Sequence, residues 1–223
     1  MLYAVLSNMA IVLCFVPLLL LWFKKLLHEK TYLFTALYWT ANGIMNMPEW
    51  LGLSQNHVLQ YQVTLLYNLL DAPMVLLVFL FSSTGKKRKY ILLITRLFIL
   101  FELIMLVWKG YNISSSTVII GVGAFLAITL SIIGVLEYLQ KIEHTSNENT
   151  MVFIYASFLF AYGIFIVIYL FSYLKIAESE PADNFFIYYI SVFLSSCLTC
   201  FGFWRYAGKA QEQPTGSIRS LNR

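Results

Sequence analysis

Four ionisable side chains stand inside long apolar runs of this 223-residue chain: Asp71, Arg96, Glu102 and Glu137. A charge in such a place is costly, so each is a candidate for proton exchange, cation binding or an ion pair. Asp71 has the richest surroundings. Thr64, Asn68 and Asp71 follow at i, i+4 and i+7, which is one face of a helix. Pro73 removes the hydrogen bond to the Leu69 carbonyl, leaving a kink and a free acceptor beside the carboxyl. One run earlier, Asn42, Asn46 and Glu49 repeat the spacing, and Pro48 frees the Ile44 carbonyl between the asparagines. With these two runs as antiparallel neighbours, Asn42 and Asp71 fall at similar depth and Asn46 and Asn68 lie slightly outward. This predicts one polar cluster of Asn42, Asn46, Asn68 and Asp71, with Glu49 nearer the outer mouth. Such a cluster could bind a ligand or ion, or simply join two helices by hydrogen bonds.

The other charged residues carry less. Arg96 and Glu137 fall toward the same ends of consecutive runs, so a structural ion pair between them is expected. Glu102 lies in the outer half of its run and has no partner legible in the sequence. Tyr155, Tyr162 and Tyr169 recur every seven residues, a seam that packs a helix or walls an apolar ligand. Ser191, Ser195 and Thr199 give the last run a small polar face suited to close packing.

The elements that must hold these residues follow from composition. Hydrophobic residues make up 60% of the chain and charged residues 12%, against roughly 25% charged in soluble domains. Mean hydropathy is +0.74. That excludes an ordinary soluble enzyme, a disordered chain and a nucleic-acid partner; the first partner is the lipid bilayer. Seven charge-poor runs are each about long enough to cross it: 2–23, 31–53, 61–83, 90–108, 117–140, 151–174 and 185–206. They are apolar throughout, without the alternation of barrel strands, so they are helices. The expected fold is an all-α, polytopic seven-helix bundle in the cell membrane, with 207–223 as a flexible cytoplasmic tail.

Orientation follows the basic residues. With the N-terminus outside, the inner segments hold Lys24, Lys25, Lys30, Lys86, Lys87, Arg88, Lys89, Lys141, Arg205, Lys209, Arg219 and Arg223. The outer loops hold only Lys109 and Lys175, beside Glu178, Glu180 and Asp183. The N-terminus is therefore expected outside and the C-terminus inside. The first run lacks a basic n-region and a cleavage site, so it is expected to stay as a helix.

Several chemistries are argued against. His28, His57 and His144 all fall in loops or at their edges, so a haem held inside the bundle lacks ligands. No clustered histidine motif for a metal, no G-x-S-x-G elbow and no phosphate loop is present. Cys14, Cys197 and Cys200 lie within spans and read as apolar filler. Asn112-Ile113-Ser114 is a glycosylation triplet on an outer loop.

Seven spans with these termini and short loops resemble the microbial (type 1) rhodopsins. Asp71-Ala72-Pro73-Met74-Val75-Leu76-Leu77 is similar to the third-helix stretch of that family, and Ala161-Tyr162-Gly163 to an Ala-Tyr-Pro of its sixth. Arg205 matches a basic residue closing its seventh helix. The resemblance puts the counterion position on Tyr67 and the retinal lysine near Ser195–Ser196. No lysine lies within an expected span, so retinal has no amine for its Schiff base and a light-driven pump is excluded. The expectation is a protein, more a binder than an enzyme, that senses a small apolar or cationic ligand around Asp71, without a cofactor. A signalling partner would then act at the cytoplasmic face. The alternatives are a small transporter or proton pathway titrating at Asp71, and, behind it, a lipid-modifying enzyme.

Overall fold

In the computed structural model, residues 2–50, 57–174 and 181–206 are described, and among them every regular element is helical. The order is α1 (Leu2–Leu13), α2 (Val16–Phe23), α3 (Lys30–Trp50), α4 (His57–Ser82), α5 (Gly85–Lys109), α6 (Ile113–Leu139), α7 (Ser146–Leu174) and α8 (Pro181–Arg205). Six stretches are long and apolar enough to cross a membrane: Tyr3–Phe23, Tyr61–Ser82, Gly85–Lys109, Ile113–Leu139, Ser146–Leu170 and Phe186–Arg205. The chain is an all-α, multi-pass membrane protein. Large apolar side chains such as Leu93, Leu97, Leu100, Val107 and Trp108 are exposed along α5, as a lipid solvent requires. Among the described residues α3 is the long helix outside these six stretches, and it carries Thr35, Thr40, Asn42 and Asn46.

The first run is not one helix. Pro17 has no N–H to return to the carbonyl of Leu13, and the ladder tightens ahead of it. Phe15 N bonds the Val12 carbonyl, an i to i−3 step, at 3.2 Å. The α1–α2 break therefore sits at Cys14–Phe15.

Elsewhere helices run past the apolar edges expected for them, because backbone capping continues after hydrophobicity stops. Asn112 caps α6: its Oδ1 accepts from Ser115 N at 3.0 Å, and Ser115 Oγ accepts from Asn112 N at 3.3 Å. Thr145 and Glu148 form the same reciprocal box ahead of α7, at 3.2 Å and 3.0 Å. At the start of α5 the helix takes in Lys86 to Lys89, and Gly110 in a left-handed conformation (φ 79°) stops its far end.

The helices close a ring. α1 and α2 pack on α3, α3 on α4, α4 on α6, α6 on α7, α7 on α8, and α8 returns to α1 and α2. α5 lies outside this ring, against α4 and α6. Close approach is set by small residues: a Cβ on Gly123 would fall 2.5 Å from the Ala72 Cβ, bringing α6 and α4 together. Alternation of direction gathers Lys24, Lys30, Lys86–Lys89, Lys141 and Arg205 at one end, where Lys24 Nζ caps the Trp204 and Tyr206 carbonyls at 2.5 and 3.2 Å.

Candidate functional site

Inside the ring, Asp71 of α4 is met by three tyrosines. Tyr162 of α7 donates its hydroxyl to Asp71 Oδ2 at 2.6 Å. The hydroxyls of Tyr67, one turn earlier on α4, and Tyr38 of α3 approach the same carboxyl, and Tyr38 also pairs with Tyr162. From Tyr67 the network continues to α3, where Asn42 Nδ2 donates to its hydroxyl at 2.9 Å. Asn42 Oδ1 in turn accepts from Asn46 Nδ2 at 3.2 Å and from the Tyr188 hydroxyl of α8 at 3.4 Å. Asn46 Nδ2 also reaches the Tyr188 hydroxyl at 3.2 Å. Asp71, Tyr162, Tyr38, Tyr67, Asn42, Asn46 and Tyr188 thus gather into one polar cluster drawn from four helices. Among the described residues every ion pair lies elsewhere, so the partners of Asp71 are all neutral.

The network is closed on the side of the basic end. One turn from Tyr162, Phe158 is fully buried, with ring centroids 5.2 Å from Tyr38, 6.0 Å from Phe79 and 6.4 Å from Trp39. Phe79 stacks on Tyr155 at 5.5 Å, and the Tyr155 hydroxyl bonds Ser82 Oγ at 3.0 Å. Trp39 Nε1 donates to Thr199 Oγ1 at 3.0 Å, which bonds Ser157 Oγ at 3.0 Å. These rings form an aromatic floor under Asp71. Toward the opposite end, Asn46 and Tyr188 keep accessible surface, as do Tyr67 and Asp71, while Asn42, Tyr38 and Tyr162 are buried.

The other residues singled out in the sequence lie apart from this network. Asn68 turns away, donating to Ser116 Oγ of α6 at 3.1 Å, and Thr64 is exposed. Their shared helical face is wide, and α6 takes its far edge. Glu102 is 8% exposed on the side of α5 facing α4 and α6, and its Oε1 has no partner among the described residues. It lies one turn beyond Phe98, whose ring meets the α4–α6 contact at Gly123 and Ala72. The side chain of Glu49 lies outside the described residues.

The expected Arg96–Glu137 pair does not form. Glu137 is ion-paired with Lys87, and Arg96 is exposed on α5. The reason is depth: α5 begins at Gly85, which puts Arg96 roughly 16 Å from its start. Glu137 is two residues from the end of α6, level with the first turn of α5. The Lys87–Glu137 side chains are 33% and 50% exposed. Lys87→Met is therefore expected to cost less than about 1 kcal/mol in thermal unfolding; a larger loss would show a buried pair.

Tyr38 and Tyr188 are the members that sequence reasoning missed. Tyr38 carried a signal, since it precedes Asn42 and Asn46 at helical spacing. Tyr188 carried none, because its role depends on α8 closing the ring. No protein-family model, curated protein or solved structure matches the chain, so its own geometry carries the functional reading.

Proposed function

We propose that this protein is a seven-helix bundle of the cell membrane that binds and senses a small ligand at Asp71, entering from the extracellular side. One observation carries the reading: a polar cluster extends from Asp71 past the adjoining Tyr67 hydroxyl to the half-buried Asn46 and Tyr188, over an aromatic floor. Accessible surface at Asn46 and Tyr188 on one side and packed rings on the other suit capture more than passage. α3 is the seventh span in this reading; its 21 residues reach about 31 Å, and its polar residues face the ring interior. Basic residues gathered at the end with the aromatic floor support a cytoplasmic position for it. The reading requires no covalent cofactor.

Transport is the second reading, favoured by Pro73 inside α4 next to Asp71, where a broken ladder lets the helix bend. Native mass spectrometry of gently purified protein separates the two. Wild type is expected to retain a stoichiometric small molecule that Asp71→Asn loses while its melting temperature holds. Empty wild-type protein, with flux in liposomes abolished by Asp71→Asn, would replace sensing by transport. A ligand kept undiminished by a stable Asp71→Asn variant would remove Asp71 from the site.

A further inference from the structure

We infer that the ligand of the Asp71 site is a small organic cation bearing an ammonium group; this rests on the binding reading above. Inside the ring the carboxyl of Asp71 meets only hydroxyls and, through them, amides. A carboxyl held among packed helices is either protonated or paired with a charge, and where the protein supplies no positive group a bound cation can. An anion is repelled there, and a neutral ligand leaves the charge uncompensated.

The surrounding groups choose among cations. Tyr162 donates to Asp71 Oδ2, and the remaining lone pairs of the carboxyl can accept an incoming N–H beside the adjoining tyrosine hydroxyls. Phenolic oxygens of Tyr38 and Tyr67 adjoin it and can accept further N–H bonds. The bodies of these residues are π-systems: Tyr38 and Tyr162 have centroids 6.4 Å apart, and Phe158 lies beneath both at 5.2 and 6.5 Å. Aromatic faces with one carboxylate attract an alkylammonium through its charge and its C–H surface together. A hard metal ion instead takes about six to eight oxygen ligands, more than the carboxyl and the three phenolic oxygens around it supply. On the outward side Asn46 and Tyr188 keep the accessible surface along which an organic tail would lie.

The test uses the full chain in lipid nanodiscs and matched probes: methylammonium, butylammonium and 2-phenylethylammonium, each against the alcohol with OH in place of NH3+. Binding is read by native mass spectrometry and calorimetry. At least one ammonium is expected to bind about tenfold or more tighter than its alcohol, and Asp71→Asn to erase that preference. An alcohol binding as well as its ammonium would overturn the cation inference while leaving ligand binding standing. Sodium displacing every ammonium at equal concentration would make the site inorganic and overturn it as well. If no probe binds, the inference falls. Whether wild type purified from its own membrane carries another small molecule then decides the binding reading separately. The wild-type comparison needs no variant to fold.

Discussion

Phe158→Ala is expected to cost about 3–5 kcal/mol of stability, the range for emptying a buried phenylalanine site. Phe158 is 0% exposed and its ring touches Tyr38, Trp39, Phe79 and Tyr162, from three helices. In lipid, burial from water contributes little to helix association, so the loss is mainly of dispersion contacts in a rigid aromatic cluster. Thermal unfolding in detergent measures it. The same change removes the floor under Asp71, so proteoliposomes carrying the variant are expected to leak protons where wild type does not. Phe158→Leu keeps most of the volume and is expected to lose less than half as much stability with no leak. An unchanged melting temperature in Phe158→Ala would contradict the packing described for the floor.

Gly134→Leu is expected to be comparably severe, for the opposite reason. A Cβ at Gly134 would stand 2.4 Å from Tyr155 Cδ2 and 2.6 Å from Cε2. The ring cannot step aside, since Phe79 stacks on it at 5.5 Å and its hydroxyl is tied to Ser82. α6 and α7 must therefore separate, at a cost of about 3 kcal/mol for leucine, the upper end for overpacking. Gly134→Ala should fall between leucine and wild type. Gly163 gives the contrast: nothing lies within 4 Å of its would-be Cβ. Gly163→Ala is expected to be neutral or to stabilise by up to about 1 kcal/mol through helix propensity. Equal effects at the two glycines in the same melting assay would show that helix propensity, not contact, controls them.

Much of the architecture was legible because a bilayer solvent leaves a coarse, strong signal. Long apolar runs must become helices, since no other open structure satisfies its backbone in lipid. Their ends were less legible: Asn112–Ser115 and Thr145–Glu148 extend α6 and α7 by backbone capping, which hydropathy does not register. Pro17 breaks the first run by the same rule that drew attention to Pro48 and Pro73.

For the candidate site, helical periodicity tells which residues share a face of one helix and nothing about which helix that face will meet. Asn42, Asn46 and Asp71 were on the page from spacing alone. Asn68 shared the Asp71 face, yet close packing at Gly123 and Ala72 brings α6 to its edge, and Ser116 takes it. Glu137 met Lys87 instead of Arg96 because the start of α5, not charge, fixed the level of its first turn. Tyr188 is 146 residues from Asn42 in the chain. The sequence by itself determined an all-helical membrane chain with a carboxylate and amides at related depths. Only the closed ring decided that tyrosines from α3, α4, α7 and α8 would enclose them over an aromatic floor, because that meeting depends on helix pairing that no local pattern encodes.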